Sequence, residues 1–136
     1  MSSKLNPYIN FKDNAREAVN FYQSVFGGTL TLGTFGEAGV PGSNPDGVMH
    51  AELITDNNMS IMVSDTPPGM QMSSTDGNVS LSLSGTDDAE LRGYWEKLSD
   101  DASITVPLEK APWGDVFGML TDKFGVHWLV NITAQK

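Results

Sequence analysis

The chain has 136 residues, of which 39% are hydrophobic and 9% aromatic, and its formal net charge is −9 at pH 7. This size suits one packed domain, and the acidic charge argues against nucleic acid, whose phosphates require clustered Lys and Arg. No apolar run approaches the roughly 20 residues of a membrane span, and the first seven residues contain no signal-peptide core. Because the sequence has no cysteine, we expect no disulfide and a cytoplasmic location.

The first half of the sequence predicts one helix among four strands. Residues 8–11 alternate in polarity as a half-buried strand does, and residues 15–26 carry apolar side chains at helical spacing. Asn14-x-x-Glu17 predicts a capping box at the start of this helix, and Gly27-Gly28 predicts its end. The remaining strands of this half are predicted at 29–35, 48–54 and 59–65, with a long loop at 36–47.

The second half repeats this layout, which is the strongest constraint that the sequence places on the fold. When Asn14 is aligned with Asp87, Glu17 falls on Glu90 and Tyr22 falls on Trp95. The second copy predicts a helix at 87–98 and strands at 79–84, 103–108, 115–121 and 127–132.

We therefore predict an α+β fold of two β-α-β-β-β modules, which form curved mixed sheets around a cleft and carry their helices on the outer face. Residues 1–136 form a single domain, with module one at about 5–65, a linker at about 66–77 and module two at about 78–133. A small-molecule ligand is expected in the cleft that paired modules leave between their sheets.

A set of motifs that runs in order along nearly the whole chain carries a family resemblance. It comprises Pro7-Tyr8-Ile9-Asn10-Phe11, Asn14 with Ala18, Phe21-Tyr22-Gln23-Ser24-Val25-Phe26-Gly27-Gly28, Phe35-Gly36-Glu37, His50-Ala51, Ile61-Met62-Val63-Ser64-Asp65, Trp113-Gly114 and Thr121-Asp122-Lys123-Phe124-Gly125-Val126-His127-Trp128. As a set, these motifs resemble the vicinal-oxygen-chelate superfamily, which includes glyoxalase, bleomycin-resistance and dioxygenase proteins, and within it the PhnB-like branch. The resemblance implies paired β-α-β-β-β modules, a concave ligand site and a homodimer.

Some PhnB-like sequences carry the label of a demethylubiquinone methyltransferase, which the glycine-rich segment 27–33 does not support. That segment follows a predicted helix and enters a strand. A nucleotide-binding glycine loop follows a strand and opens a helix.

His50 and Glu52 are the candidate catalytic residues and metal ligands. They alternate on one face of the predicted strand 48–54, opposite Met49, Ala51 and Leu53, which are expected to face the helix. An imidazole and a carboxylate placed in this way suit a divalent ion. A second interpretation is structural, with His50 buried and hydrogen-bonded to Glu52.

The resemblance implies a metal site with four ligand positions, of which this sequence keeps one. Glu52 fits the second position. The first position falls near Pro7 or Tyr8, the third near Ser80 and the fourth near Leu129, and these depart from the pattern. His127 shares a strand face with Leu129 and is a candidate for a further nitrogen ligand.

The remaining candidate ligand-binding residues are polar or aromatic side chains on other predicted strands and turns. Tyr8 and Asn10 share one face of the first strand, and Ser80 and Ser82 share one face of the first strand of module two. Trp113 and Phe117 are candidates for stacking on a ligand ring. The alternatives are an ordinary exposed serine-rich face, and a Trp113 that closes the cleft or lies in a dimer interface.

The sequence leaves open whether the protein is an enzyme. One hypothesis is a metal-dependent lyase, isomerase or dioxygenase that uses His50 and Glu52. Another is a metal-free, antibiotic-sequestering resistance protein, and a third is a structural or regulatory dimer. The prediction common to the first two is a cytoplasmic homodimer that binds a small molecule and neither nucleic acid nor a membrane.

Overall fold

The structure, a computed structural model, describes residues 5–39, 42, 44–66 and 79–133. These residues form eight strands and three helices, in the order β1 (Tyr8–Phe11), α1 (Ala15–Phe26), β2 (Thr29–Thr34), α2 (Phe35–Ala38), β3 (Val48–Ile54), β4 (Ser60–Asp65), β5 (Leu81–Gly85), α3 (Asp88–Leu98), β6 (Ser103–Lys110), β7 (Val116–Thr121) and β8 (His127–Ile132). The chain divides into two compact units, unit 1 at Met1–Ser74 and unit 2 at Thr75–Lys136. The predicted linker at 66–77 lies outside the described residues except for Thr66.

Each unit contains one four-stranded mixed sheet, and the two sheets have the same topology. The strand order is β1-β4-β3-β2 in unit 1 and β5-β8-β7-β6 in unit 2. In each sheet the first strand pairs in parallel with the last, and the other pairs are antiparallel. This confirms the predicted α+β fold and the β-α-β-β-β repeat.

The core of unit 1 lies between α1 and one face of its sheet. Ala18, Val19 and Tyr22 on α1 are fully buried, as are Ala51 and Leu53 on β3. The helix stripe follows a period of 3.6 residues and the strand follows a period of two, so each element presents one continuous apolar face. Burying these two faces against each other fixes which face of the sheet points away from α1.

The core of unit 2 is built in the same way, with one close contact that requires a glycine. Leu91 and Leu98 on α3 are buried, as are Trp128 and Val130 on β8. A Cβ added at Gly118 would lie 2.8 Å from Cη2 of Trp95. Glycine at this strand position therefore makes room for the indole of α3.

The capping box predicted at Asn14 is wrong. The Asn14 side chain makes no capping hydrogen bond, and the backbone N–H of Ala15 instead donates to Oδ1 of Asp65 at 2.9 Å. Asp65 lies at the end of β4, which pairs in parallel with β1, so tertiary structure rather than local sequence supplies the cap. At the equivalent position in unit 2, Asp87 does cap its helix and accepts from the N–H of Glu90 at 3.1 Å.

Two local predictions about strand ends and faces are also corrected. The strand predicted at 29–35 ends at Thr34, where Thr34 and Glu37 form a capping box that opens α2 inside the predicted loop. Met49, predicted to face the helix, is 40% exposed, whereas Val48 is fully buried. The cause is a register shift in the pairing of β2 with β3. Gly33 pairs with His50 and Thr34 pairs with Val48, so Met49 has no partner on β2 and the alternation of side chains is interrupted there.

Among the helices that the structure describes, none is long and apolar enough to cross a membrane.

Candidate functional site

The face of the unit 1 sheet opposite α1, here called the distal face of unit 1, carries four of the predicted site residues. Tyr8 pairs with Met62, which pairs with Glu52, so these side chains lie on the same side of β1, β4 and β3. Asn10 and His50 follow by the two-residue period of their strands. The sheet therefore brings Tyr8, Asn10, His50 and Glu52 together, as the alternation predicted.

Serines on β4 contact two of these side chains. The Ser60 hydroxyl donates to Oε2 of Glu52 at 3.0 Å, and the Ser64 hydroxyl donates to Oδ1 of Asn10 at 3.1 Å. Neither serine was predicted as a site residue. The available signal was their spacing of four residues, which places both on one face of β4, the strand between the two that carry the predicted site residues.

The rings of Tyr8 and His50 contact each other across β4. Their centroids are 5.8 Å apart, with an angle of 32° between the planes. Tyr8 is 50% exposed, and His50 is half-buried. The two rings thus form an accessible aromatic surface beside the Glu52 carboxylate.

The interpretation of His50 as a buried histidine hydrogen-bonded to Glu52 is wrong. His50 is half-buried, and Ser60, not His50, is hydrogen-bonded to the Glu52 carboxylate. Within the described part of the chain, His50 contacts the Tyr8 ring, and neither of its ring nitrogens makes a hydrogen bond. Among the described residues, every fully buried side-chain nitrogen or oxygen has a hydrogen-bond partner. Because the ring nitrogens of His50 have none, they must be accessible to solvent.

The other predicted ligand-binding residues belong to unit 2. Ser80 precedes β5 rather than lying within it, and both Ser80 and Ser82 are exposed. Trp113 lies in the turn before β7 and is 65% exposed. Its ring meets that of Phe117 edge to face, with centroids 5.9 Å apart.

His127, the candidate for a further metal ligand, is hydrogen-bonded inside unit 2. Its Nδ1 lies 2.8 Å from Oγ1 of Thr121, the residue that it opposes across β7 and β8. One of its two ring nitrogens is therefore already engaged.

The residues present do not fit the four-ligand metal site that the resemblance implies. Pro7 and Leu129 carry apolar side chains, Ser80 is a weak ligand, and Oε2 of Glu52 accepts a hydrogen bond from Ser60. Among the described residues, no three His, Cys, Asp or Glu side chains lie close enough together to hold a metal ion. The donor set that remains on the distal face of unit 1 is the pair His50 and Glu52.

Unit 2 also contains an open cavity of about 570 Å³, which includes none of the predicted site residues. It is lined by Thr86, Asp87, Asp88, Gly114, Val116, Ile132 and Thr133. Its two carboxylates have structural roles, since Asp87 caps α3 and Asp88 pairs with Arg92 at 2.9 Å.

Solved structures with this fold differ widely in their sequence identity to this chain. The protein PA1353 from Pseudomonas aeruginosa is 35% identical, with a TM-score of 0.87, and the match covers 98% of this chain and all of that one. A PhnB protein from Bacillus cereus is 26% identical, with a TM-score of 0.76, over 96% of this chain and all of that one. The fosfomycin resistance protein FosX from Mesorhizobium loti shares the fold at 8% identity and a TM-score of 0.60.

The two β-α-β-β-β units have the fold of a solved glyoxylase, bleomycin-resistance protein and dioxygenase domain from Frankia, which is 15% identical with a TM-score of 0.67. The chain belongs to the 3-demethylubiquinone-9 3-methyltransferase family, whose model matches residues 3–131. Among curated proteins, YjdN from Escherichia coli is 28% identical over 147 residues, with 97% of both chains covered.

The family's description names a methyltransferase, but the glycine-rich segment 27–33 does not have the geometry of a nucleotide-binding loop. Gly27 caps the end of α1, and β2 begins at Thr29, so this segment joins a helix to a strand, as predicted. A fold of this kind hosts many chemistries, and the function has to be argued from the side chains of the site.

Proposed function

We propose that this protein binds a small aromatic amine on the distal face of unit 1, through Tyr8, His50 and Glu52. The observation that carries the proposal is the set of polar groups on one face that have no partner within the described residues. These are the Tyr8 hydroxyl, the ring nitrogens of His50 and Oε1 of Glu52. Polar groups that converge beside an aromatic surface are typical of a small-molecule site.

The chemistry of these groups favours a ligand that combines an aromatic ring with a positively charged ammonium group. The Tyr8 and His50 rings offer an apolar surface on which a flat ligand can stack. The Glu52 carboxylate, held in place by Ser60, accepts hydrogen bonds from an ammonium group. The net charge of −9 adds a long-range attraction for cations.

Binding of benzylamine, compared with benzyl alcohol, tests this proposal. The two probes share a ring and differ in charge, so titration followed by amide NMR shifts should give tighter binding of benzylamine. Replacing Glu52 with Gln should weaken benzylamine binding about tenfold, because the charge-assisted hydrogen bond is lost. Glu96→Gln, at an exposed position on α3, is the matched control and should leave binding unchanged.

Two results would contradict the proposal. One is equal affinity for benzylamine and benzyl alcohol. The other is loss of binding in Glu96→Gln to the same extent as in Glu52→Gln, which would indicate a general charge effect rather than a site.

The second candidate function is a metal-dependent lyase, isomerase or dioxygenase. It is favoured because His50 and Glu52 lie on the same face of the sheet, and the ring nitrogens of His50 and Oε1 of Glu52 make no hydrogen bond within the described residues. Two such ligands bind a divalent ion weakly. Elemental analysis of purified protein, after incubation with zinc, nickel, manganese or iron and dialysis, should therefore give well below about one metal ion per chain. About one ion per chain, lost in both His50→Ala and Glu52→Ala, would instead support the enzyme.

The metal-free, antibiotic-sequestering alternative is the form of this proposal in which the aromatic amine is a drug. A homodimer is a proposal that rests on the superfamily resemblance, and a cytoplasmic location is one that rests on the absence of cysteine from the sequence.

A further inference from the structure

Unit 2 presents an aromatic pair that the proposed function does not use. The Trp113 and Phe117 rings lie edge to face, with centroids 5.9 Å apart and an angle of 65° between their planes. Trp113 is 65% exposed and Phe117 is half-buried. The steep angle between the two ring planes makes a corner, and its more exposed ring is that of Trp113.

Acidic side chains flank this corner. Glu109 on β6 lies directly opposite Phe117 on β7, so the two side chains point to the same face of the sheet. Asn131 opposes Phe117 on the other side, and its Nδ2 donates to Oδ2 of Asp115 at 3.2 Å. This hydrogen bond holds a second carboxylate at the residue just before β7, the strand that carries Phe117.

We infer that Trp113, Phe117, Glu109 and Asp115, here called the aromatic corner, bind a quaternary ammonium group. A cation is attracted to a ring face when it lies within about 6 Å of the centroid. Because the two centroids are 5.9 Å apart, one cation can satisfy that distance for both rings. The two carboxylates raise the local concentration of cations without having to contact the ligand directly.

The aromatic corner suits a methylated ammonium better than a primary one. A primary ammonium carries three N–H donors that each seek an acceptor. The ring faces offer no such acceptor, and Asp115 already accepts from Asn131. A quaternary ammonium has no donor to satisfy and spreads its charge over methyl groups that pack against the rings.

This site is independent of the distal face of unit 1. It shares no residue with Tyr8, His50 or Glu52, and its expected ligand differs in chemistry. Failure of either proposal therefore leaves the other intact.

Titration with choline, compared with its uncharged carbon analogue 3,3-dimethylbutan-1-ol, tests the inference. The indole N–H signal of Trp113, identified as the one lost in Trp113→Leu, should shift and saturate with choline at a dissociation constant of about 1 to 10 mM at constant ionic strength. The neutral analogue should bind at least about tenfold more weakly, since it fills the same volume without the charge.

Variants separate the contributions of the rings and the carboxylates. Phe117→Leu keeps the apolar volume and should weaken choline binding about fivefold to tenfold, and Glu109→Gln should weaken it about threefold. Glu96→Gln, at the exposed position on α3, should leave choline binding unchanged. The indole signal of Trp128, which donates to Asp122 inside unit 2, should not shift.

Three outcomes would overturn the inference. The first is equal binding of choline and the neutral analogue. The second is a Trp113 signal that does not shift with choline up to about 100 mM, which is far above the expected dissociation constant. The third is unchanged choline binding in Phe117→Leu.

Discussion

Replacing Asp65 with Ala is expected to lower the free energy of unfolding by about 3 to 5 kcal/mol, a large part of a typical domain's stability. The Asp65 carboxylate is buried and accepts two backbone hydrogen bonds, from Ala15 at 2.9 Å and from Val48 at 2.8 Å. Both donor residues are fully buried, so truncation leaves two N–H groups without water or a protein partner. Urea unfolding followed by far-ultraviolet circular dichroism measures the change.

The amide variant separates the hydrogen bonds from the size of the side chain. Asp65→Asn retains one acceptor oxygen but turns an NH₂ group toward a backbone donor, so it should cost about 2 to 3 kcal/mol. Asp46→Asn, at an exposed position in the same unit, is the matched control and should change stability by less than about 0.5 kcal/mol. A loss below about 1 kcal/mol in Asp65→Ala would refute this role of the carboxylate.

Replacing Asp122 with Ala is expected to have an effect of similar size in unit 2, about 3 to 5 kcal/mol. This buried carboxylate accepts three hydrogen bonds, at 2.9 Å from the N–H of Phe124, at 3.0 Å from the N–H of Val126 and at 2.8 Å from the indole of Trp128. It therefore closes the turn between β7 and β8 and orients a core tryptophan. Urea unfolding gives the energy, and the indole N–H chemical shift of Trp128 reports the lost contact directly.

Asp122→Asn is the sharper variant, because its amide can still accept from the two backbone groups. Its NH₂ group would face the indole donor, so about 2 kcal/mol should be lost, with the Trp128 indole signal displaced. Asp101→Asn, in an exposed turn where Asn tolerates the φ of 55°, is the control. Stability within about 0.5 kcal/mol of the native protein, with an unmoved Trp128 signal, would contradict the prediction.

The two units reach the same turn geometry with different residues. Thr55 and Asp122 are both buried, and each forms the paired backbone contact that closes its hairpin, Thr55 with Met59 and Asp122 with Val126, both at 2.8 Å. The side-chain oxygen of each residue also accepts from the N–H of the same partner. The repeat that is visible in the sequence is therefore a repeat of backbone geometry, in which a hydroxyl in unit 1 and a carboxylate in unit 2 accept the equivalent hydrogen bond.

Much of the candidate site could be predicted because strands alternate. His50 and Glu52 share a face with Tyr8 and Asn10, and this follows from the two-residue period once α1 is assigned to the other face. That Glu52 is bonded to Ser60 and not to His50 could not be predicted. It depends on β4 lying between β1 and β3, which is a property of the sheet order.

The sequence by itself determined the two long helices and the eight strands, and that they form two copies of one layout, because these features depend on periodicity within short stretches of chain. The short helix α2 was not predicted, since its capping box lies in a stretch without that periodicity. Only the tertiary structure decided the partners of individual polar groups. Asn14 carries the local capping signal, yet Asp65, fifty residues from Ala15 along the chain, caps α1. Parallel pairing of β1 with β4 places that carboxylate at the start of the helix, and no local pattern encodes a contact between residues so far apart.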